Sequence, residues 1–282
     1  MSPSSYKYST VPGFFLQDDP TIAAADIGPV PPRVGLLDAS EDRWLKFKQE
    51  IGHLNDRAET GTSYKVFVFG RHGEGIHNIA GDKYGRELWY GHWAKLERDD
   101  KLVWGPDAPL TPLGKDQAKD VRAVWEAEIP FGIFLPQSHY CSPMTRALQT
   151  CLITFDGISI TEKTEPPVIF EDCREAYGLY PCDKRNTRTY ITANFPQFTI
   201  QNAFTEHDEL WKPEERESKE SVASRAKTML DWIFQNDDKT FISITAHKAI
   251  INGFFTVLDR HTYDTPTGGI VPVVVKRQTV YS

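Results

Sequence analysis

An arginine and a histidine follow directly behind a strongly apolar run in this chain. The run at 66–69 is followed by Gly70 and then by Arg71-His72-Gly73-Glu74. If the run is a strand of an open α/β sheet, the cation and the imidazole lie at its carboxyl end, where such sheets bind their ligands. Gly73 leaves the backbone free to turn sharply and to approach an anion closely. The pattern therefore predicts an anion site at a sheet edge.

Three further segments deliver charged or titratable residues behind strand-like runs. Ser142-Pro143-Met144-Thr145-Arg146 follows the short apolar stretch at 139–141, His247 ends the run at 241–246, and Glu175 follows the run that begins at Val168. If all four strands end at one edge, their side chains converge on one pocket. We expect four of these residues to face a phosphate, with Glu175 at the rim: Arg71, His72, Arg146 and His247.

These residue types suit phosphoryl transfer. A neutral imidazole can attack phosphorus directly if its other ring nitrogen donates to a backbone carbonyl and so fixes the tautomer, and His72 is the candidate. The reaction otherwise needs alignment and positive charge around the phosphate oxygens. Arg71 and Arg146 can each present a planar fork of donors, and His247 would add another donor if it were cationic.

In these segments the sequence resembles the histidine phosphatase superfamily, also called phosphoglycerate mutase-like, in the branch that includes the cofactor-dependent mutases (branch 1). The resemblance runs from about Lys65 to the C-terminus. Shorter strings at 11–15 and 267–269 resemble fungal proteins described as phosphomutases. The matching strings are Arg71-His72-Gly73-Glu74, Asn78, Leu110-Thr111-Pro112-Leu113-Gly114, Ser142-Pro143, Arg146-Ala147, Gln149-Thr150 and Ala246-His247.

The resemblance implies roles for several residues. His72 would carry a phosphoryl group, and Asn78 would donate its side-chain amide to the phosphate. Glu175 would act as acid and then as base, and Glu171 and Asp172 are nearby competitors for that role. In the segment that covers the pocket in this family, Lys184 and Arg185 could meet a second anionic group of the substrate; a solvated basic patch is the alternative.

Two positions depart from the family pattern. Lys248 stands directly after His247, where many members have glycine, so its ammonium could reach the substrate or lower the pKa of His247. Gly75 stands where the cofactor-dependent mutases usually have a hydroxyl residue that donates to phosphate. Weaker retention of phosphate would favour hydrolysis over storage of the phosphoenzyme.

The resemblance and the chain pattern together predict a three-layer αβα fold with a mostly parallel central sheet. We expect the phosphatase domain over residues 61–282, with a cap inserted at about 177–218, and an N-terminal arm over residues 1–60 packed on it. In the arm, the pattern predicts a helix from Glu41 to about Leu54 with Ser40 as its N-cap. Further helices are predicted at about 111–128 and 219–235, and a final strand at 270–275 in which Pro272 favours an edge or a bulge.

Composition narrows the class of partner and compartment. The 282 residues carry a formal net charge of -7, which argues against a nucleic-acid surface. No apolar stretch is long enough to cross a bilayer, and Met1 to Lys7 lack the apolar core of a secretory signal. The four cysteines form no CxxC pair. These features favour the cytoplasm, with the nucleus as the alternative, and they leave the oligomeric state open.

The expected function is a metal-independent phosphatase acting on a small phosphorylated metabolite, without a cofactor. A zinc site from His72 and His77 is not expected, because two ligands of a helical site lie one turn apart. The enzymic alternative is a phosphomutase acting on a phosphorylated sugar acid. The alternative from another class is a non-catalytic scaffold or binding member of the same fold.

Overall fold

The computed structural model describes residues 5–280. Residues 1–4 of the predicted arm and 281–282 of the predicted domain therefore lie outside the described part. The strands are β1 Ser5–Thr10, β2 Thr62–Arg71, β3 Ser138–Cys141, β4 Val168–Ile169, β5 Thr199–Ile200, β6 Phe241–Ala246 and β7 Ile270–Val280. The helices are α1 Ala24–Ile27, α2 Arg43–Asp56, α3 Ile76–Gly91, α4 Pro112–Glu128, α5 Thr145–Phe155, α6 Arg188–Asn194, α7 Lys219–Asn236 and α8 Lys248–Val257.

All seven described strands form one sheet in the order β1-β7-β2-β6-β3-β4-β5. The four pairs from β2 to β5 across this order are parallel, and the two pairs that involve β7 are antiparallel. The prediction of an α/β fold with a mostly parallel sheet is confirmed. Parallel order brings the carboxyl ends of β2, β6 and β3 to the same edge.

The sheet is covered on both faces, as the three-layer prediction requires. Phe67 and Phe69 of β2 point into a core closed by α7 and α8. Val66 and Val68 point into a second core closed by α2, α4 and α5. Strand residues alternate between faces, so a continuous apolar run in β2 serves both layers.

Side-chain caps fix the starts of α4 and α7. The Thr111 hydroxyl accepts from the Gly114 amide at 2.9 Å, and Pro112 occupies the first helical position. Helix α7 begins at Lys219, as predicted. The N-cap prediction for α2 was wrong: the helix begins at Arg43 after Asp42, and Ser40 belongs to the preceding turn, where its carbonyl accepts from the Arg43 amide.

The final strand is longer than predicted and only partly at an edge. Strand β7 lies between β1 and β2, and β1 pairs only with residues 275–280. Pro272 pairs with Val68 of β2 on one side. On its other side it has no partner in β1, because β1 pairs only with residues 275–280. Its missing N–H is therefore tolerated without a true edge strand or a bulge.

Residues 177–218 do not form a single cover. Their middle part contains α6 and β5, and β5 is the last strand of the central sheet. Ile191 and Phe195 of this part are buried in the α2–α4–α5 core. The two flanks of the segment instead approach the carboxyl edge of the sheet. Helix α3 approaches the same edge, and it is interrupted at Gly85, where φ is 74°.

The N-terminal arm contributes to both the sheet and a core. Strand β1 pairs antiparallel with β7 over its full length. Phe15 is buried and packs edge-on against Phe47 of α2, with ring centroids 5.4 Å apart. Among residues 5–280, no helix is long and apolar enough to span a bilayer.

Candidate active site

Strand register brings the two motif histidines together. Arg71 pairs with Ala246 at the ends of the parallel strands β2 and β6. His72 and His247 are therefore the first residues after these two strands. The His72 amide donates to the Ala246 carbonyl at 3.0 Å, and the two imidazole centroids are 4.9 Å apart. Both rings therefore lie at the carboxyl edge of the sheet, where the sequence predicted an anion site.

The tautomer of His72 is fixed by its own loop. Its Nδ1 donates to the Gly73 carbonyl at 2.7 Å, because a carbonyl can only accept. The lone pair of a neutral His72 ring must then lie on Nε2. Burial, together with the Arg146 and Arg71 cations, holds the pKa of His72 well below its usual value. His72 is consequently a neutral imidazole at physiological pH, with a free Nε2.

His247 is also neutral in the free protein. Its Nε2 lies 2.7 Å from the Ser142 hydroxyl, and burial, aided by the Arg146 cation, lowers its pKa well below the usual range. The sequence interpretation allowed a cationic His247 beside phosphate. In the free protein the surrounding charge favours the uncharged ring instead.

The two motif arginines flank these rings, and each is held by carbonyl or carboxylate oxygens. Arg71 donates from Nη1 to the Thr265 carbonyl at 2.8 Å. Arg146 is fully buried and donates from Nη1 to the Cys182 carbonyl at 2.8 Å and from Nη2 to Asp183 at 2.9 Å. The fixed guanidinium planes leave the Nε atom of each arginine without a hydrogen-bond partner within residues 5–280.

The loop that carries His72 is tied to its neighbours. The Gly73 amide donates to the Thr150 hydroxyl at 3.0 Å, and that hydroxyl donates to the Arg146 carbonyl one turn earlier in α5. A Cβ on Gly73 would overlap the carbonyl of Gly114, so only glycine fits. The string at 267–269 has a related role, because the Gly268 amide donates to the His72 carbonyl at 2.9 Å.

A cavity of about 720 Å³ opens in front of His72. Asn78 and Glu175 both line it, as do Arg71 and Arg146. The Asn78 amide oxygen accepts from the Gly75 amide at 2.9 Å, which orients the side chain and leaves its NH₂ group as a donor. The predicted site residues Arg71, His72, Asn78, Arg146, Glu175 and His247 thus come together.

The three candidate carboxylates are separated by their surroundings. Glu175 accepts from the Ala176 amide at 2.7 Å and from the Ala249 amide at 3.3 Å in the first turn of α8. Glu171 instead pairs with Arg174 at 2.8 Å, and neither Glu171 nor Asp172 lines the cavity. Of these three candidates, Glu175 is therefore the one that lines the cavity.

The structure contradicts the second-anion hypothesis, which is the prediction that Lys184 and Arg185 meet a second anionic group of the substrate. Arg185 is buried, pairs with Glu171 at 3.0 Å and donates to the Thr205 and His207 carbonyls. Lys184 is exposed, with its ammonium 4.9 Å from the centre of the Trp211 ring. Neither residue lines the cavity.

Sequence reasoning did not identify His77 or Arg216 as site residues. His77 lines the cavity, with its ring centroid 5.4 Å from that of His72. A single histidine gives no periodic pattern, and its position directly behind the motif loop was the one available signal. Arg216, from the irregular segment, lines the cavity and pairs with Asp183 at 2.7 Å. Lys248 lines the cavity as well and pairs with Asp264.

Comparisons with known proteins identify the relatives of this chain. Residues 68–266 match the family model of the histidine phosphatase superfamily (branch 1). The chain is 36% identical over 285 residues to a "Probable phosphoglycerate mutase" of Arthroderma benhamiae, covering 96% of this chain and 85% of that protein. It is 32% identical to "Phosphomutase-like protein 3" of Candida albicans, covering 95% and 80% of the two chains. Among solved structures, a mycobacterial glucosyl-3-phosphoglycerate phosphatase matches at 17% identity with a TM-score of 0.45, over 74% of this chain and 92% of that one.

Proposed function

The chain belongs to the histidine phosphatase superfamily (branch 1), and on that premise we propose that it is a metal-independent phosphatase. It hydrolyses a small phosphorylated metabolite through a phosphohistidine formed on His72. Glu175 acts as general acid and then as general base. Arg71, Asn78, Arg146 and His247 bind the phosphate, and the reaction uses no cofactor.

One observation carries this proposal. Four residues around His72 each hold a buried nitrogen atom without a hydrogen-bond partner within residues 5–280: Nε of Arg71, Nε of Arg146, Nδ1 of His77 and Nδ1 of His247. Buried polar atoms are nearly always paired, and each exception calls for an explanation. A phosphate beside Nε2 of His72 supplies several acceptor oxygens at once, and guanidinium groups bind such oxygens strongly.

The first half-reaction moves the phosphoryl group to the protein. The lone pair on Nε2 of His72 attacks phosphorus, so a P–N bond forms while the ester P–O bond breaks. The protonated carboxyl group of Glu175 gives its proton to the leaving alkoxide. Arg71 and Arg146 neutralise charge on the phosphate oxygens without a metal ion.

The second half-reaction returns the protein to its starting state. A water molecule attacks the phosphorus of phospho-His72, and the Glu175 carboxylate takes its proton. The P–N bond breaks, its electrons return to Nε2, and inorganic phosphate leaves. The cavity of about 720 Å³ leaves room for this water beside the phosphoryl group.

A phosphomutase on a phosphorylated sugar acid is the second candidate, because the fungal relatives are named as mutases. Gly75 offers no hydroxyl to help retain phosphate, which favours transfer to water. Product analysis separates the two reactions: free phosphate supports the phosphatase, and an isomerised ester supports the mutase. A non-catalytic scaffold is disfavoured, since the nucleophile, the carboxyl group and both arginines are all present.

The direct test is phosphate release from a generic aryl phosphate in the presence of EDTA. The proposal expects activity that chelation does not remove. His72→Ala should lower turnover by at least about a thousandfold, whereas the matched control His53→Ala, at an exposed histidine on α2, should retain it. Activity abolished by EDTA, or full activity in His72→Ala, would contradict the proposal.

A further inference from the structure

The cavity in front of His72 is much larger than a phosphate group needs. Its volume of about 720 Å³ falls in the range of pockets that enclose drug-sized ligands, about 300–1,000 Å³. The phosphate-binding residues occupy only its floor, at the carboxyl ends of β2 and β6. The remaining space must accept the organic part of an ester, so its walls carry information about the substrate.

One wall of this cavity is aromatic. Tyr90 at the end of α3 is 51% exposed, and its ring centroid lies 5.7 Å from that of Tyr180. Trp89 also lines the cavity, although most of its surface is buried against Trp104. One exposed tyrosine ring and one half-buried tyrosine ring therefore converge on the cavity, an arrangement that is well suited to stacking.

Tyr180 is held in place from its surroundings. The Arg216 guanidinium lies 4.6 Å from the centre of its ring, and the Trp211 indole donates to its carbonyl at 3.0 Å. Arg216 is itself fixed by Asp183. A ring anchored in this way presents a preformed surface and loses little conformational freedom when a ligand binds.

A second wall is formed by α7 and α8. Its apolar part consists of Val222, Ala249 and Gly253, and the same helices also contribute polar lining residues, namely Lys219, Lys248, Asn252 and Thr256. A Cβ on Gly253 would lie 2.9 Å from Val222, so the two helices are in close contact there. The space above the phosphate floor is therefore bounded by the tyrosine rings and, on this wall, by an aliphatic patch with polar groups beside it.

The charges at the mouth do not favour a second anion. Four cationic side chains line the cavity away from its floor, namely Arg86, Arg216, Lys219 and Lys248. Two of them are already neutralised, Arg216 by Asp183 and Lys248 by Asp264. Arg86 and Lys219 are exposed to solvent, where salt bridges contribute little affinity.

We infer that the substrate is a phosphate monoester whose organic part carries a largely apolar ring, and that Tyr90 and Tyr180 select it. The inference rests on the phosphatase activity proposed above and narrows its substrate class. The ring occupies the space between the tyrosines and the α7–α8 wall, while the phosphate lies on the floor beside His72.

Two alkyl esters with equally basic leaving groups test the inference. We compare 2-(1-naphthyl)ethyl phosphate with ethyl phosphate, because both release a primary alcohol and differ only in the ring. Burial of the ring predicts a kcat/KM ratio of at least about ten in favour of the naphthyl ester. Tyr90→Ala should lower this ratio about threefold to tenfold, Tyr180→Ala similarly, and Tyr90→Phe should preserve it.

Tyr190→Ala is the matched control, since Tyr190 is 42% exposed on α6 and does not line the cavity; its ratio should equal that of the unaltered protein. A ratio near one in the unaltered protein would overturn the inference. A second result would also overturn it: the unaltered protein prefers 3-phosphoglycerate to the naphthyl ester, and Arg86→Ala or Lys219→Ala removes this preference. The space above the floor would then recognise a second anion.

A binding measurement separates this inference from the proposed reaction. By calorimetry, 2-(1-naphthyl)ethylphosphonate should bind the unaltered protein at least about ten times more tightly than ethylphosphonate, and Tyr90→Ala should reduce that difference. If no ester is hydrolysed but this difference is found, the phosphatase proposal fails and the ring site stands. If the esters are hydrolysed and the two phosphonates bind equally, only the ring site fails.

Discussion

Asp183, from the segment above the cavity, pairs with Arg146 at 2.9 Å, and both side chains are almost fully buried. The other oxygen of Asp183 accepts from Arg216 at 2.7 Å. One carboxylate therefore holds two cavity-lining arginines, Arg146 beside His72 and Arg216 farther from it. Loss of this carboxylate should affect both the alignment of Arg146 and the stability of the fold.

Asp183→Ala should lower the free energy of unfolding by about 3 kcal/mol, because it leaves a buried guanidinium without a counter-charge. Inorganic phosphate should recover part of this loss, since an anion on the floor compensates Arg146. Urea unfolding with and without phosphate measures both effects. Asp208→Ala is the matched control: Asp208 pairs with Arg174 at 2.6 Å outside the cavity, so phosphate should not rescue it. Equal rescue of both variants would contradict the assignment of Arg146 to the phosphate site.

The buried histidines should make stability depend on pH. Burial is the main cause that lowers the pKa of His72, His77 and His247 well below 6.5, and it lowers the pKa of His139 to about 3. Below pH 6.5 the unfolded chain binds protons that the folded chain does not, so stability is full above pH 6.5 and falls as the pH drops. The slope should reach up to about 1.4 kcal/mol per pH unit for each such histidine.

Urea unfolding between pH 7 and 5.5 measures this slope. His139 lies on β3 away from the cavity, with Nε2 3.0 Å from the Ser159 hydroxyl. His139→Gln should therefore reduce the slope without changing phosphate binding. A free energy of unfolding that stays constant over this range would show that the rings are not held neutral.

Arg185 should behave as a structural residue. Arg185→Ala removes one of the two arginine partners of Glu171, the other being Arg174, together with several hydrogen bonds to backbone carbonyls. It should therefore lower the free energy of unfolding by about 3 kcal/mol while leaving KM unchanged. Lys184→Ala should change neither quantity. Steady-state kinetics, measured at a temperature where both variants are folded, tests whether KM is unchanged. A raised KM in either variant would instead support contact of that residue with a second anionic group of the substrate.

Gly75 and His77 should be coupled. A Cβ on Gly75 would lie 2.7 Å from Nδ1 of His77, so Gly75→Ala must displace that imidazole without adding a hydroxyl. If His77 contacts the phosphate, Gly75→Ala and His77→Ala should each weaken inhibition by inorganic phosphate, and the double variant should be no weaker than the worse single one. Strictly additive losses in this double-mutant cycle would show that the two positions act independently.

Sequence reasoning succeeded where local pattern determines position. His72 and His247 each follow an apolar strand, and parallel pairing with matched register then forces their rings together. The start of α4 beside Thr111 could be predicted for the same reason, since a short-range pattern is enough. Asn78 was reached only through the resemblance, as was the acid and base role of Glu175, and both residues line the cavity.

The wrong or missing predictions concern residues that contact partners distant in the sequence, and segments that have no periodic hydrophobic pattern. Arg185 looked like a free cation, but its environment is set by Glu171 and by carbonyls of residues 205 and 207. The segment at 177–218 has no hydrophobic period that reveals β5 as a strand of the central sheet. His77 was missed because a single histidine in a helix gives no pattern, and only the geometry of the loop before it brings it beside His72.

The central claim is that Nε2 of His72 accepts the phosphoryl group. Protein from a single turnover of an aryl phosphate can be quenched in an alkaline denaturant and digested under alkaline conditions, which preserve phosphohistidine, and then analysed by mass spectrometry. The account predicts one phosphoryl group per chain, located on His72, that accumulates in Glu175→Gln because hydrolysis of the intermediate is slowed. A phosphoryl group on another residue, or turnover without any phosphorylated protein in that variant, would contradict it.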